Sequence, residues 1–191
     1  MRGMKIPYKR HSIRLKDYDY SSDGAYYVTL CAQERKCLFG EVINDGIVLN
    51  DAGKMIEYNW NKLPQRFLNI ELDEFITMPN HFHGIINVTV GAPLVGAQND
   101  NIIVGAQNNN RAGTRPAPTL GDIVGAFKSI TTNEYIRNVK NNHWRQFDKQ
   151  LWQRNYYEHI IRNDIELNEI RGYIKNNPYN WEEDKEYVKN G

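Results

Sequence analysis

Residues 68–90 read Leu-Asn-Ile-Glu-Leu-Asp-Glu-Phe-Ile-Thr-Met-Pro-Asn-His-Phe-His-Gly-Ile-Ile-Asn-Val-Thr-Val. Two runs rich in β-branched and aromatic residues, 68–78 and 81–90, meet at Met78-Pro79-Asn80, a turn signal between two strands. On the second strand, alternate side chains share a face, so His81 and His83 project together while Phe82 points the other way, into a core. Working outward, 25–32 reads as a strand, 40–50 as a hairpin around Asn44-Asp45-Gly46, and 51–63 as a helix with Ala52, Met55, Ile56, Trp60 and Leu63 on one face. Asn50 or Asp51 can cap that helix, and Pro64 is expected to end it. A second helix is expected over 120–139, opened by a Thr119/Asp122 capping box, with Leu120, Ile123, Val124, Phe127 and Ile130 as its stripe. Aromatic enrichment favours a strand over 147–157. The last helix is expected over 164–177, with Leu167, Ile170 and Ile174 inward.

The order is strand, helix, strand, strand, helix, strand, then a C-terminal helix. Two strand–helix–strand halves in series define an α+β fold: a ferredoxin-like antiparallel sheet with helices on one face and the other face free to bind. The 191 residues fit one domain, and 40% hydrophobic with 25% charged residues is a globular composition. Residues 91–118 interrupt the pattern. They are rich in Gly, Ala, Asn, Gln and Pro, and Val95-Gly96-Ala97-Gln98-Asn99 recurs as Val104-Gly105-Ala106-Gln107-Asn108. Such a segment buries little and reads as a flexible surface insertion.

No apolar run approaches a membrane span, and the basic start Met1-Arg2-Gly3-Met4-Lys5 is not followed by an apolar stretch, so no membrane partner and a cytoplasmic address are expected. Cys31 and Cys37 are too few for a disulfide framework and read as reduced thiols. The net charge of +1 does not by itself announce a nucleic-acid binder, but the basic residues are unevenly placed. Residues 2–16 hold Arg2, Lys5, Lys9, Arg10, Arg14 and Lys16. Residues 137–162 interleave Arg137, Lys140, Arg145, Lys149, Arg154 and Arg162 with Trp144, Phe147, Trp152, Tyr156 and Tyr157, a mixture suited to phosphates and unpaired bases. The acids concentrate elsewhere, at 71–74 and 182–186.

Two imidazoles on an otherwise apolar strand are costly without a task, and as neutral ligands they can chelate one divalent ion. Two histidines do not make a closed structural zinc site, so an open site for Lewis-acid chemistry on a phosphate fits better. Tyr173 borders the apolar stripe of the last helix, a position that suits a side chain reaching across a cleft as well as one packing at the helix edge. Asn177, four residues on, shares its face, and Pro178 ends the helix beside it.

Pro-Asn-His-Phe-His-Gly at 79–84, Leu-Trp-Gln-Arg-Asn-Tyr-Tyr-Glu-His-Ile-Ile-Arg-Asn at 151–163 and Tyr-Ile-Lys-Asn-Asn-Pro at 173–178 together resemble the REP-associated tyrosine transposases, single-tyrosine members of the HUH endonucleases. The resemblance spans nearly the whole chain except the repeat segment. It implies chemistry on single-stranded or hairpin DNA with Mg²⁺ or Mn²⁺, by a monomer or a homodimer. It places the nucleophile on the C-terminal helix, at Tyr173 and not at Tyr156 or Tyr157, and the metal at His81, His83 and Asn177. Trp152, Gln153, Arg154, Glu158, His159 and Arg162, with Arg10 and Arg14, are expected to support the site or touch DNA, and His159 to accept a proton. The rival readings are a DNA-binding regulator that has retired its chemistry and a metal-dependent hydrolase that uses water.

Overall fold

A computed structural model describes residues 23–89 and 118–188. Arg10, Arg14 and nearly all of the 91–118 insertion lie outside the described residues. Strand β1 (Gly24–Cys31) is central, and its alternation sorts the molecule into two sides. Tyr26, Val28 and Leu30 join one buried cluster, and Tyr27 joins another. β4 (Ile70–Thr77), β5 (His81–Val88) and β6 (Tyr157–Ile161) complete a sheet of order β4-β5-β1-β6. Every pairing in it is antiparallel. With helices after β1 and after β5, this is the expected ferredoxin-like arrangement.

The first side is an ordinary apolar core. Helix α1 (Asp51–Asn61) contributes Ile56 and Trp60, and α3 (Leu120–Asn142) contributes Ile123 and Phe127, packed with Phe82 and Ile86 of β5. Both helices begin on polar caps: Asn50 Oδ1 accepts from the Gly53 N–H at 3.0 Å, and Thr119 and Asp122 form the expected capping box. The hairpin of β2 (Gly40–Ile43) and β3 (Gly46–Leu49) turns through Asn44 and Asp45, at φ 50° and 61°, which matches the left-handed pair that a two-residue loop requires. Pro64 does not end α1. The helix stops at Asn61, and Pro64 lies in the first turn of the short helix α2 (Leu63–Arg66), where its missing N–H costs nothing.

The second side of the sheet is not free. Helix α4 (Asp164–Lys175) lies on it, with Ile170 and Ile174 against Tyr27, Ile85 and Ile161. Two ion pairs hold α4 to the edge strand. Arg171 donates to both oxygens of Asp73, at 2.9 and 2.5 Å, and Lys175 reaches Glu74 at 3.0 Å. The β4 register shifts between Leu72 and Phe75, the stretch that contains both acids.

The strand expected over 147–157 is the main departure. Regular pairing begins only at Tyr157; before it, Trp152 makes an isolated bridge to Ala32. Of its aromatics, Trp152 is buried in the core, Phe147 and Tyr156 pack partly buried against it, and only Tyr157 joins the ladder. Trp152 packs on Phe39 and Phe127 and its Nε1 donates to Thr131 Oγ1, while Trp144 and Phe147 pack on Tyr135.

The β5 motif needs a glycine after its second histidine. A Cβ on Gly84 would lie 2.5 Å from Trp60 Cζ2 and 2.9 Å from Phe82 Cε1. Gly84→Ala is therefore expected to destabilise the fold by about 1–3 kcal/mol through overpacking. Urea unfolding followed by tryptophan fluorescence measures this, and an unchanged midpoint would show that the two rings can yield.

Candidate metal and nucleophile site

His81 and His83 face α4 from the middle of the sheet, paired across to Cys31 and Thr29 of β1. Both are buried, their rings 4.4 Å apart between centroids. His83 Nδ1 lies 2.7 Å from the Tyr27 hydroxyl and 2.9 Å from Thr29 Oγ1, and His81 Nδ1 lies 2.9 Å from Asn80 Oδ1. The Nε2 atom of each ring is buried with no hydrogen-bond partner.

A third unpartnered atom belongs to Asn177. Helix α4 ends at Lys175, and Asn177 follows the Asn176 cap, its N–H still bonded to the Ile174 carbonyl at 3.2 Å. Its side chain is buried, and Oδ1 has no partner. Tyr173 lies beside them, its ring centroid 5.4 Å from that of His83, but 42% of the residue remains exposed.

Asp184 closes the group. Its Oδ2 accepts from the Tyr173 hydroxyl at 3.1 Å and from Asn177 Nδ2 at 3.0 Å, and its Oδ1 accepts from the Glu186 N–H at 2.6 Å. The ligand atoms of His81, His83 and Asp184 all lie within 4.8 Å of one another. The tail reaches this position because Trp181 packs over the His81 ring and the buried Glu186 pairs with Arg35 at 2.5 Å. Sequence reasoning missed Asp184: it sits in the 182–186 acid cluster that was placed away from the site. The available signal was its position just past Pro178, where a chain reversal can bring it back under Tyr173.

The supporting residues divide. Trp152 belongs to the core. Gln153 braces the end of β1, its N–H on the Cys31 carbonyl at 2.9 Å and its amide on the Ala32 carbonyl at 3.3 Å. Glu158 pairs with Val28 in register, which assigns it to the α1/α3 side of the sheet. His159 does face α4, but its Nε2 meets Glu166 Oε1 at 2.7 Å, so its contact is with the start of α4 and not with the tyrosine. Arg154 and Arg162 are exposed; the Arg154 carbonyl accepts from Lys128 Nζ at 3.0 Å, and the Arg162 N–H donates to Glu166 Oε2 at 2.7 Å.

Electrostatics favour the metal-binding form of the pair. Burial pushes His83 well below the ordinary histidine range, and neighbouring His81 adds to the shift. Burial also lowers His81, against the upward pull of Asp184, Glu186 and the Asn177 amide. Tyr173 moves the other way: burial and then Asp184 raise its phenol. Two neutral imidazoles with inward unpartnered nitrogens, an unpartnered amide oxygen and a carboxylate suit a divalent cation.

A Haemophilus influenzae protein, described as uncharacterized, is 41% identical over 179 residues, covering 94% of this chain and 93% of its own. The chain belongs to the family of that protein. No family profile matches it. Among solved structures it is similar to a REP-associated tyrosine transposase bound to a REP hairpin, with TM-score 0.49 and 16% identity over 92% of this chain and 73% of that one. It is also similar to a protein of Deinococcus radiodurans R1 described as a candidate transposase, with TM-score 0.46 and 15% identity over 84% and 94%. At such identities chemistry does not transfer between chains and has to come from the side chains themselves. No described helix is long and apolar enough to cross a membrane.

The depressed histidines predict a pH dependence of stability. In the unfolded chain each imidazole takes up a proton near pH 6.5, whereas in the folded protein it resists until lower pH. The unfolded state then binds more protons, so stability is full above about pH 6.5 and declines as pH falls toward the folded values. Melting temperature should drop between about pH 7 and 5 in wild type and drop less in His83→Gln. Equal drops in both proteins would show that the imidazoles do not set this slope.

Proposed function

We propose that the protein cuts and rejoins single-stranded DNA by covalent attack of Tyr173, assisted by a divalent metal held at His81, His83 and Asn177 with Asp184 alongside. One observation carries this reading. The hydroxyl of a partly exposed tyrosine and a carboxylate are assembled beside two buried imidazole nitrogens and an amide oxygen that form no hydrogen bond of good geometry. A nucleophile, an acceptor for its proton and ligands for an electrophilic ion in one place are the parts for phosphoryl transfer.

When bound, the ion supplies Lewis-acid polarisation of the scissile phosphate. The oxygens of Asn177 and Asp184 suit Mg²⁺ or Mn²⁺, and the imidazole nitrogens fit the all-oxygen preference of Mg²⁺ less well. The Tyr173 phenol, raised by burial and by Asp184, is protonated at neutral pH, so it needs an acceptor at the moment of attack. Asp184 Oδ2 already accepts that hydrogen bond and takes the proton. The phenolic oxygen forms a bond to phosphorus while the bond from phosphorus to the 3′-oxygen breaks. The 3′-oxygen leaves as a hydroxyl on taking up a proton, and the 5′ end stays on the enzyme as a phosphotyrosine diester. Because that diester keeps the bond energy, the same or another 3′-hydroxyl can reverse the step and join strands.

With α4 on the sheet, the DNA reaches Tyr173 from its exposed rim and does not lie across an open sheet face. The exposed Tyr179 just past Asn177 offers a surface for stacking a base at that rim. The exposed Arg154 and Arg162 offer charges for the flanking phosphates.

The test is a denaturing gel of the protein with labelled hairpin-bearing single-stranded DNA from the gene's own flanks and Mn²⁺. Wild type should give a protein–DNA adduct. Tyr173→Phe and His81→Ala should lower it by at least about 10³-fold, and Asp184→Asn by about 10²- to 10⁴-fold. Cleavage without an adduct would favour a water-using hydrolase. Tight binding without cleavage would favour a DNA-binding regulator.

A further inference from the structure

Asn80 is the residue immediately before the first histidine, and its side chain is fully buried. Its amide makes three hydrogen bonds. Nδ2 donates to the Arg35 carbonyl at 3.1 Å and to the Glu186 carbonyl at 2.7 Å, and Oδ1 faces His81 Nδ1 at 2.9 Å. Backbone carbonyls only accept, so the end of the amide that meets two of them must be the NH₂ end. The remaining end is the oxygen, which also only accepts. His81 Nδ1 must then carry the proton, which leaves the Nε2 lone pair for the proposed metal position, on the side of Asn177. The opposite tautomer would set two lone pairs against each other in a site closed to water. His83 has no such constraint: its Nδ1 faces two hydroxyls, each able to donate or accept.

The same amide grips the tail. Glu186, held through its carbonyl by Asn80, in turn donates its N–H to Asp184 Oδ1. We infer that Asn80 is a positioning residue that locks His81 in the Nδ1–H tautomer and holds the Asp184 segment against it, so that one buried amide aligns two of the metal-binding groups. No close substitute performs both tasks. Aspartate keeps the acceptor for His81 but lacks the two donors, and alanine lacks everything. The metal part of this inference rests on the proposed function; the tautomer part does not.

The experiment uses the full chain labelled with 15N-histidine. Long-range proton–nitrogen correlation spectra of the metal-free protein, at mildly alkaline pH, report each ring's tautomer, and His81→Gln assigns the His81 signals. Mn²⁺ affinity is read in parallel from the loss of free-ion electron paramagnetic resonance signal. Wild type should show His81 purely as Nδ1–H. Asn80→Ala should show a mixture of tautomers and bind Mn²⁺ about 10- to 100-fold more weakly, the usual cost of removing a partner that orients a metal ligand. Asn80→Asp should keep the Nδ1–H tautomer yet still lose Mn²⁺ affinity, because the tail is no longer held. That split is one that a merely structural turn residue would not produce, and it stands if Asn80→Ala fails to fold. An Nε2–H signal for His81 in wild type, or a folded Asn80→Ala with unchanged tautomer and affinity, overturns the inference. Unchanged affinity in Asn80→Asp overturns its tail half. If wild type and His81→Ala bind Mn²⁺ equally weakly, the metal reading of the site fails, while the tautomer result still decides the role of Asn80 toward His81.

Discussion

Two imidazole nitrogens are sealed between a β-sheet and a helix with nothing to bond to. A buried polar atom without a partner costs about 1–3 kcal/mol, and this site holds two on adjacent alternate residues with an amide oxygen close by. Such a cluster suits the divalent cation of the proposed function. The surrounding structure meets that constraint from several directions. Helix α4 closes over the pair and is fastened to the edge strand by Arg171–Asp73 and Lys175–Glu74. The tail passes beneath Tyr173 and is fastened by Glu186 to Arg35. Burial itself keeps both rings neutral, which is the state a metal needs.

The sheet order explains why the site can be rigid. β5 and β1 are the two inner strands, so Phe82, His83 and Gly84 are paired on both sides, and His81 pairs with Cys31 on one side while its carbonyl accepts from the Met78 N–H at 2.8 Å on the other. Alternation then separates two jobs within four residues. Phe82 and Gly84 meet Trp60 in the apolar core, and His81 and His83 face the polar pocket under α4. A histidine pair on inner strands is placed more firmly than one on a loop, and the core side of the same residues supplies the stiffness.

Much of this was legible in the chain. The strand–turn–strand reading of 68–90 located the histidines on one face, the period of the last helix brought Tyr173 and Asn177 together, and the Thr119/Asp122 box opened α3. These are local signals that depend on a few neighbouring residues. Other features depend on distant parts of the chain and left no local trace. Asp184 enters the site only because Trp181 and Glu186 find His81 and Arg35. Acids in a short cluster near a terminus otherwise read as solvated charge. The 147–157 stretch misled for a related reason: Trp152 and Phe147 signal burial, and burial under α3 leaves the same composition as a strand. That α4 covers the second sheet face also follows from tertiary packing, since its stripe of Leu167, Ile170 and Ile174 says only that it packs on something.

In the proposed reaction, the hydrogen bonds around Asp184 would make metal binding and nucleophile activation parts of one event. Its Oδ2 receives both the Tyr173 hydroxyl and the Asn177 amide, and its Oδ1 is held by the Glu186 N–H. Glu186 is held in turn by Asn80, which also orients His81. The chain of contacts thus runs from the His81 ring through the Asn80 amide and the tail to Asp184 and the Tyr173 hydroxyl. On that reading, a shift of the carboxylate toward an ion would loosen its hold on the phenol proton, and loss of the tail anchor would disturb ligand and acceptor together. Groups wired in this way do not contribute independently, and their effects on the reaction combine as those of a single unit. The tyrosine is therefore best understood as the exposed end of a buried network whose other end is the histidine pair.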